Sequence, residues 1–219
     1  MIMYPSSRKA QSEVLSKVVV VLILLALSSF AYTWGSNLIE AQKMRSEVEE
    51  IQSKFLELKT KITEVANAGN GSARFVDLKL EYGILSIEPG EPCSGTDPDN
   101  NMLRYVLSTK DNFVDSLTWA LSDSANKNLN CIAPYENSSS GIIISKSTVS
   151  EGLSMNEYAL WFRKLNQSGN TNQFLINLTT GSADSDMRLT AGSHQIRVES
   201  QGSVQVGTSS YTKVLISDV

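Results

Sequence analysis

One continuous apolar segment constrains this chain more than any other feature. Residues 18–31 read VVVVLILLALSSFA, and three basic residues, Arg8, Lys9 and Lys17, precede them. The 17 residues from Val18 to Trp34 make a helix of about 26 Å, which is close to the roughly 30 Å of hydrocarbon in a bilayer. We therefore predict a membrane-spanning or translocation segment.

The flanks of this segment predict its orientation. Basic residues before a membrane segment favour a cytoplasmic N-terminus, and the next basic residue is Lys43. Tyr32 and Trp34 lie at the far end, where amphipathic rings favour the headgroup level. The remaining chain is then expected outside the cell, either at the membrane-anchored cell surface or in an extracellular filament.

Three fates of the segment are open. Ser29, Phe30 and Ala31 have small residues at the spacing of a signal peptidase site, so cleavage after Ala31 gives a secreted protein. The segment is otherwise an uncleaved anchor, or a helix from which a short leader is trimmed ahead of the apolar run. The helical pattern continues to Ala66 with Gly35 as the one break signal, and a single glycine costs only about 1 kcal/mol in a helix. This continuity favours the two fates that keep the helix intact.

The residues before the apolar segment resemble the class III signal peptide of archaeal type IV pilins and archaellins. Residues 8–13 read RKAQSE, in which a basic and a small residue precede the cut, and a Gln-Ser pair and an apolar helix follow it. The resemblance implies a leader of residues 1–10 and cleavage between Ala10 and Gln11 by a prepilin-type peptidase. It also implies an early helix carboxylate at Glu13, the third mature residue, whereas many pilins carry this glutamate fifth.

The resemblance extends to about residue 90 and implies the function of the chain. It is carried by AYTWG at residues 31–35, LIE at 38–40, KITEVA at 61–66, GNGS at 69–72 and GILSI at 83–87. In pilin-like surface proteins a helix ends in such a Gly/Asn turn and passes directly into the strands of an extracellular domain. The resemblance implies assembly through the N-terminal helix, with copies of this chain or other pilin subunits, and a head for adhesion or recognition.

A second helical pattern follows the membrane segment. Apolar residues recur at alternating spacings of three and four, as in a heptad repeat: Ala41, Met44, Val48, Ile51, Phe55, Leu58, Ile62 and Val65. We predict a pilin-type membrane helix over residues 11–35 and an amphipathic heptad stalk over residues 36–68. Two interpretations of this apolar stripe are open. A narrow stripe favours a parallel coiled coil between subunits over a fully buried filament core, and the alternative is burial against the chain's own β-domain.

Beyond Arg74 the apolar period changes from 3.5 to 2, which predicts an extracellular β-rich domain over residues 72–219. The fold class is therefore α+β, with a long N-terminal helix followed by a mostly antiparallel β-sandwich-like head. Residues 111–130 are less regular, and residues 158–165 also fit a helix turn. The predicted strands are residues 75–82, 84–88, 103–108, 142–146, 158–165, 173–179, 195–199, 204–206 and 212–216.

Two kinds of covalent modification are predicted for this domain. Cys93 and Cys131 are the only cysteines, and outside a membrane such a pair is expected to form a disulfide. Asn-X-Ser/Thr sequons permit N-glycosylation, and the polar runs around Asn137 and Asn166 are typical of loops. The candidate acceptors are Asn70, Asn137, Asn166 and Asn177.

The sequence contains no recognisable catalytic constellation. His194 is the only histidine, it has no nucleophile motif around it, and we expect a polar residue at a strand edge. Past Ala31 the chain has 16 basic and 22 acidic residues, and this excess of negative charge disfavours nucleic-acid binding. We therefore predict a non-enzymatic protein with no cofactor and no nucleic-acid partner.

A metal site is also disfavoured. Two acidic clusters have the oxygen ligands that hard cations take, but neither matches the twelve-residue calcium pattern, so solvated turns are favoured. The clusters are Asp97, Asp99, Asn100 and Asn101, and then Asp184 and Asp186. The functional alternatives are thus a pilin-like structural protein and a single-pass membrane-anchored extracellular binding module that does not form filaments.

Overall fold

The computed structural model describes residues 7–93, 98–114, 116–122, 129–135, 138–167, 172–181 and 186–219, with side chains from Leu15 onward. One helix, α1, runs over Ser7–Ala68, as the uninterrupted helical pattern predicted. It contributes to two compact units, Met1–Met44 and Arg45–Val219. The second unit, here called the head, contains all of the strands that the structure describes.

The head is built on two six-stranded sheets. In the first sheet the strand order is β1-β11-β12-β9-β8-β5, and in the second it is β10-β2-β3-β7-β6-β4. Neighbouring strands are antiparallel except for the parallel pairs β12 with β9 and β5 with β8. The strands are β1 Ala73–Leu80, β2 Ile84–Glu88, β3 Met102–Thr109, β4 Ala120–Leu121, β5 Ile132–Pro134, β6 Gly141–Ser150, β7 Leu153–Phe162, β8 Lys164–Asn166, β9 Gln173–Thr180, β10 Met187–Leu189, β11 Gly192–Val206 and β12 Ser209–Asp218.

The structure confirms the α+β class and the mostly antiparallel head. It also resolves residues 158–165 as strand except for Arg163, which separates β7 from β8. The strands predicted at residues 195–199 and 204–206 are one element, β11, whose pairing with β12 shifts register between Ser200 and Ser203. A bulge of this kind interrupts the alternation of apolar residues without ending the strand.

The apolar stripe of α1 is buried inside the head. Six of its eight residues, from Val48 to Val65, are buried within the single chain, whereas Ala41 and Met44 are half-buried. The buried members are Val48, Ile51, Phe55, Leu58, Ile62 and Val65. The coiled-coil interpretation of this stripe is therefore corrected, because side chains already packed in the chain's own core offer no surface to a second subunit.

The part of α1 that lies in the head contacts both sheets. On the first sheet, Arg74 of β1 donates to Glu64 of α1 at 3.3 Å. On the second sheet, a Cβ on Gly141 of β6 would lie 3.4 Å from the side chain of Lys59. Residues 45–68, predicted as part of a stalk, thus belong to the same compact unit as the sheets.

A buried asparagine ties the two sheets together. Asn101 is fully buried just before β3, and its side-chain nitrogen donates to the carbonyls of Phe162 and Ile176, both at 2.8 Å. Its side-chain oxygen accepts the backbone N–H of Leu178 at 2.7 Å. Phe162 belongs to the second sheet and the other two partners to the first, so one amide satisfies backbone groups of both. The backbone of Asn101 has a φ of 59°, which asparagine tolerates better than most residues.

The predicted disulfide is confirmed and covers one face of the second sheet. Cys93 and Cys131 are bonded, with their Cα atoms 6.2 Å apart. Both half-buried cysteines pack, together with Trp119, Leu121 and Leu129, against a buried cluster on that face. The cluster consists of Met102, Ile142, Ile144, Ala159 and Trp161. The indole N–H of Trp161 donates to the carbonyl of Pro92 at 3.0 Å, so the segment beside Cys93 is also held by a hydrogen bond.

Candidate functional site

The apolar segment of α1 is exposed on every face. An 18-residue window of this helix has a mean hydropathy of 2.2, and none of it is buried. Its exposed side chains include Val18, Ile23 and Leu24, which point to different sides of the helix. A helix that is apolar all round belongs in a membrane or among other apolar helices. The segment is thus suited to membrane anchoring or to a signal sequence.

Side-chain hydroxyls at the end of this segment donate to backbone carbonyls of the same helix. The hydroxyl of Thr33 donates to the carbonyl of Ser29 at 2.9 Å, and that of Ser36 donates to the carbonyl of Thr33 at 2.9 Å. Such bonds satisfy hydroxyl groups within the helix itself. Gly35 lies inside α1 without ending it. The helix therefore passes the predicted signal peptidase site after Ala31 without a break.

The predicted leader site falls at the beginning of α1. Ala10, Gln11 and Glu13 lie within its backbone, but their side chains lie outside those that the structure describes. Cleavage between Ala10 and Gln11 and the role of the Glu13 carboxylate therefore stay predictions. In the described backbone, the helix begins at Ser7, ahead of this site.

A buried carboxylate, which the heptad pattern did not reveal, fixes α1 to the head. Glu47 is 7% exposed and accepts the backbone N–H groups of Glu81, Tyr82 and Gly83 at 3.0 to 3.3 Å. It also accepts the hydroxyl of Tyr105 at 2.7 Å. A buried carboxylate is stable only when its oxygens are paired. These four groups supply that pairing and join the helix to the turn between β1 and β2 and to β3.

Two neighbours of Glu47 depend on this arrangement. A Cβ on Gly83 would lie 2.2 Å from ring atoms of Tyr105, so only glycine allows the turn to approach the ring. Burial, together with the hydrogen bond to Glu47, raises the pKa of Tyr105 far above its ordinary value. The raised pKa favours the neutral hydroxyl of Tyr105, which is the form that donates to Glu47.

A second set of buried charges lies on the second sheet. The carboxylates of Glu88 and Glu157 are buried, and the Arg104 guanidinium lies between them, 2.9 Å from Glu88 and 3.3 Å from Glu157. Lys146 adds a contact of 3.4 Å to Glu157 and lies 4.4 Å from the centre of the Trp119 ring. Each carboxylate is paired with a cation, so this network holds neighbouring strands together rather than presenting an acid or base to a substrate.

His194 is a structural residue at the start of β11, as expected for a polar residue near a strand edge. Its Nδ1 lies 2.9 Å from a carboxylate oxygen of Asp218, and its Nε2 lies 2.8 Å from the carbonyl of Thr190. Both partners are acceptors, so only the imidazolium form, which has two N–H groups, satisfies both. The hydrogen bond to Asp218, followed by that to Thr190, accordingly raises the pKa of His194.

The structure shows which of the predicted glycosylation acceptors are accessible to solvent. Asn166 ends β8 rather than lying in a loop, and Asn177 lies inside β9; both are half-buried. Among the residues that the structure describes, their side-chain oxygens are buried without a hydrogen-bond partner. Asn70 is exposed in the turn after α1, and Asn137 lies outside the described residues. Asn70 is therefore the most accessible acceptor in the described ranges.

The predicted acidic clusters are only partly described. Asp97 and Asp184 lie outside the described residues, and Asn101 uses its side chain to bridge the sheets. Within the described ranges, no three His, Cys, Asp or Glu side chains are grouped as a metal site requires. That this protein binds no metal stays a prediction.

The role of Glu47 predicts a large loss of stability on a small change of side chain. Glu47→Gln removes the charge and replaces one acceptor oxygen by a donor, so buried N–H groups lose a partner, at a cost of about 1–3 kcal/mol. Glu49→Gln, two residues away on the exposed face, should change stability by less than about 0.5 kcal/mol. Chemical denaturation of both full-length variants in detergent, followed by circular dichroism, checks this; equal midpoints would contradict it.

The hydrogen bonds of His194 predict a pH-dependent contribution to stability. Because the folded pKa lies above the ordinary value of 6.5, the contribution is fully present below about pH 6.5 and is lost as the pH rises through the folded pKa. His194→Gln should therefore destabilise the head more at about pH 6 than at about pH 9. Asp218→Asn should show the same trend. Denaturation midpoints at both pH values measure it, and a pH-independent difference would overturn the assignment.

Comparison of the chain with protein-family models, with curated proteins and with solved structures gave no match. The functional argument therefore depends on the residues of this chain. Three of its features carry that argument: an apolar helix with no buried face, the continuation of that helix into the head, and a disulfide-bonded pair of sheets.

Proposed function

We propose that this chain is a pilin-like cell-surface protein, which assembles through its N-terminal helix and presents its β-rich head for adhesion or recognition, without catalysis. The observation that carries the proposal is that the two parts of α1 bury different fractions of their apolar side chains. Its N-terminal part is apolar and exposed on all faces, whereas its C-terminal part buries a stripe in the head. Such a helix anchors a folded domain to lipid or to a bundle of identical helices.

The sequence before the helix supplies the finer part of the proposal. The RKAQSE run at residues 8–13 resembles an archaeal class III signal peptide, so a prepilin-type peptidase would cleave between Ala10 and Gln11. The three basic residues at the N-terminus favour the cytoplasmic side. The head then lies outside the cell, where its disulfide is stable and Asn70 is open to glycosylation.

The alternative function is a single-pass anchored binding module that never forms filaments. One observation favours it: the stripe from Val48 to Val65 is occupied by the head. Contacts between copies through α1 are then limited to the residues before Arg45. The two functions differ in whether the leader is removed and in whether the apolar segments of different copies touch.

The proposal predicts the mature N-terminus. Mass spectrometry of the native protein from the membrane or surface fraction should find a chain that begins at Gln11. A variant with Arg8→Gln and Lys9→Gln keeps the apolar segment but removes the basic residues of the leader, and should retain Met1. A native chain that begins at Met1 would support the simple anchor, and one that begins at Tyr32 would show an ordinary secreted protein.

Assembly through α1 predicts contacts between the apolar segments of neighbouring copies. A cysteine placed by Ile23→Cys or Leu27→Cys, both at exposed positions, should form disulfide-linked dimers in native membranes under mild oxidation. The same variants diluted in detergent are the matched control, because accidental encounters disappear on dilution. If both variants remain monomeric in the native membrane, the filament proposal fails and the anchored module is favoured.

A further inference from the structure

A groove lies at the end of the head where α1 terminates. It is bordered by Thr63 and Asn67 of α1, by Tyr135 after β5, and by Phe174 of β9. Thr63 comes 16 residues after Glu47 in the same helix, which corresponds to about 24 Å. The groove is thus far from the end at which the chain enters the head.

The described lining of the groove combines hydroxyl groups with apolar side chains. Its volume is about 580 Å³, which falls within the range of about 300–1,000 Å³ of small-molecule sites. None of the thirteen described residues that line it is charged, and seven of them carry hydroxyl groups, among them Ser138, Ser139, Ser140 and Thr212.

Two exposed aromatic rings stand at this groove. Tyr135 is 56% exposed and Phe174 is 40% exposed, and their ring centres are 5.7 Å apart with planes inclined by 48°. Exposed apolar groups inside a polar rim mark binding grooves. The faces of aromatic rings carry partial negative charge and a large apolar area, and the C–H groups on one side of a sugar ring complement both properties.

The walls of the groove are held in place before any ligand arrives. Phe174 lies on β9 between Leu165 of β8 and Ser210 of β12. The carbonyls of Ser139 and Ser140 accept the Nε and the backbone N–H of Arg163, at 3.2 and 2.9 Å. A wall fixed by strand pairing and by such bonds loses little entropy when a ligand binds.

We propose that this groove binds a neutral saccharide. Hydroxyl groups pair with hydroxyls of the sugar, and the two rings pack against its C–H faces. The hydroxyls of Thr63 and Thr212 already have partners in Lys59 and Ser203, but a lipid tail would cover the serine hydroxyls without offering them a partner. A phosphate or a charged peptide would find no charge of opposite sign among the described lining residues. The inference rests on the proposed function, because it names the class of ligand that the head would recognise at a surface.

The test measures binding by full-length protein, kept in a phosphocholine detergent because alkyl maltosides and glucosides would themselves occupy a sugar site. The probes are maltotriose, cellotriose and N,N′-diacetylchitobiose, observed by saturation-transfer NMR. We expect at least one of them to receive saturation and Tyr135→Ala and Phe174→Ala each to weaken its binding about fivefold, as loss of one stacking contact of about 1 kcal/mol predicts. Leu117→Ala, an exposed apolar residue outside the groove lining, should leave binding unchanged.

Three results would overturn the proposal. The first is that no probe receives saturation at about 10 mM, a concentration that reveals even millimolar affinity. The second is that the Tyr135→Ala/Phe174→Ala double variant still binds the probe. The third is that sialyllactose binds more tightly than the neutral probes. The near-ultraviolet circular dichroism of each variant must match that of the native protein. Because binding in solution needs neither cleavage nor assembly, a failure here leaves the predicted N-terminus intact, and a chain beginning at Met1 leaves the groove intact.

Discussion

Burial of the α1 stripe is the constraint on which the head depends. Six side chains of one helix are removed from water, and each large apolar side chain contributes about 1.5–3 kcal/mol when fully buried. Both sheets contact this helix, so neither sheet has a complete core without it. The strands are therefore specified together with residues 45–68, and the head cannot be treated as a domain that begins after the helix.

Burial of the stripe also limits which part of α1 could contact another copy of the chain. The heptad spacing from Ala41 to Val65 is typical of a coiled coil, but the same spacing suits a helix covered by sheets. Spacing alone cannot separate the two, because it reports which face is apolar and not what covers that face. Once the head occupies the stripe, apolar contact between copies through α1 would be left mainly to the exposed apolar segment of residues 18–34. One part of α1 thus holds the head, and another part leaves its apolar side chains exposed.

Much of the fold follows from the period at which apolar residues recur in the sequence. The long helix, its end near Ala68 and the strands of the larger ladders follow from periods near 3.6 and 2. The strands β4, β5 and β10 have two or three residues, which is too few for a period to be recognised. The continuity of β11 was missed because the bulge between Ser200 and Ser203 shifts the alternation. The pairing of Cys93 with Cys131 was predictable because the chain has no other cysteine.

The two polar residues that hold the head together were not predictable from pattern. Glu47 stands among charged residues on a helix and reads as solvated, yet its partners come from a turn 34 residues later and from Tyr105. Asn101 stands in a polar run that resembles a cation site, yet its amide satisfies both sheets. Weak signals did exist, since Glu47 borders the apolar stripe beside Val48, and Gly83 follows directly after the strand predicted over residues 75–82. The period of apolar residues predicts which apolar side chains are buried. A buried polar side chain can be recognised only when its partners, which are distant in the sequence, are known.

The distribution of charge finally distinguishes the parts of the head that hold it together from the part that is free to recognise. Arg104 and Lys146 balance the charges of Glu88 and Glu157 on the second sheet, and Glu47 is satisfied by four donors, so these buried charges serve cohesion. His194 is bonded on both ring nitrogens. The groove beside Tyr135 and Phe174 differs, because its two rings are exposed on a wall that the strands already fix and none of its described lining residues is charged. Binding at this groove, as proposed, would use apolar stacking and neutral hydrogen bonds, which depend little on salt, rather than the long-range attraction between charges.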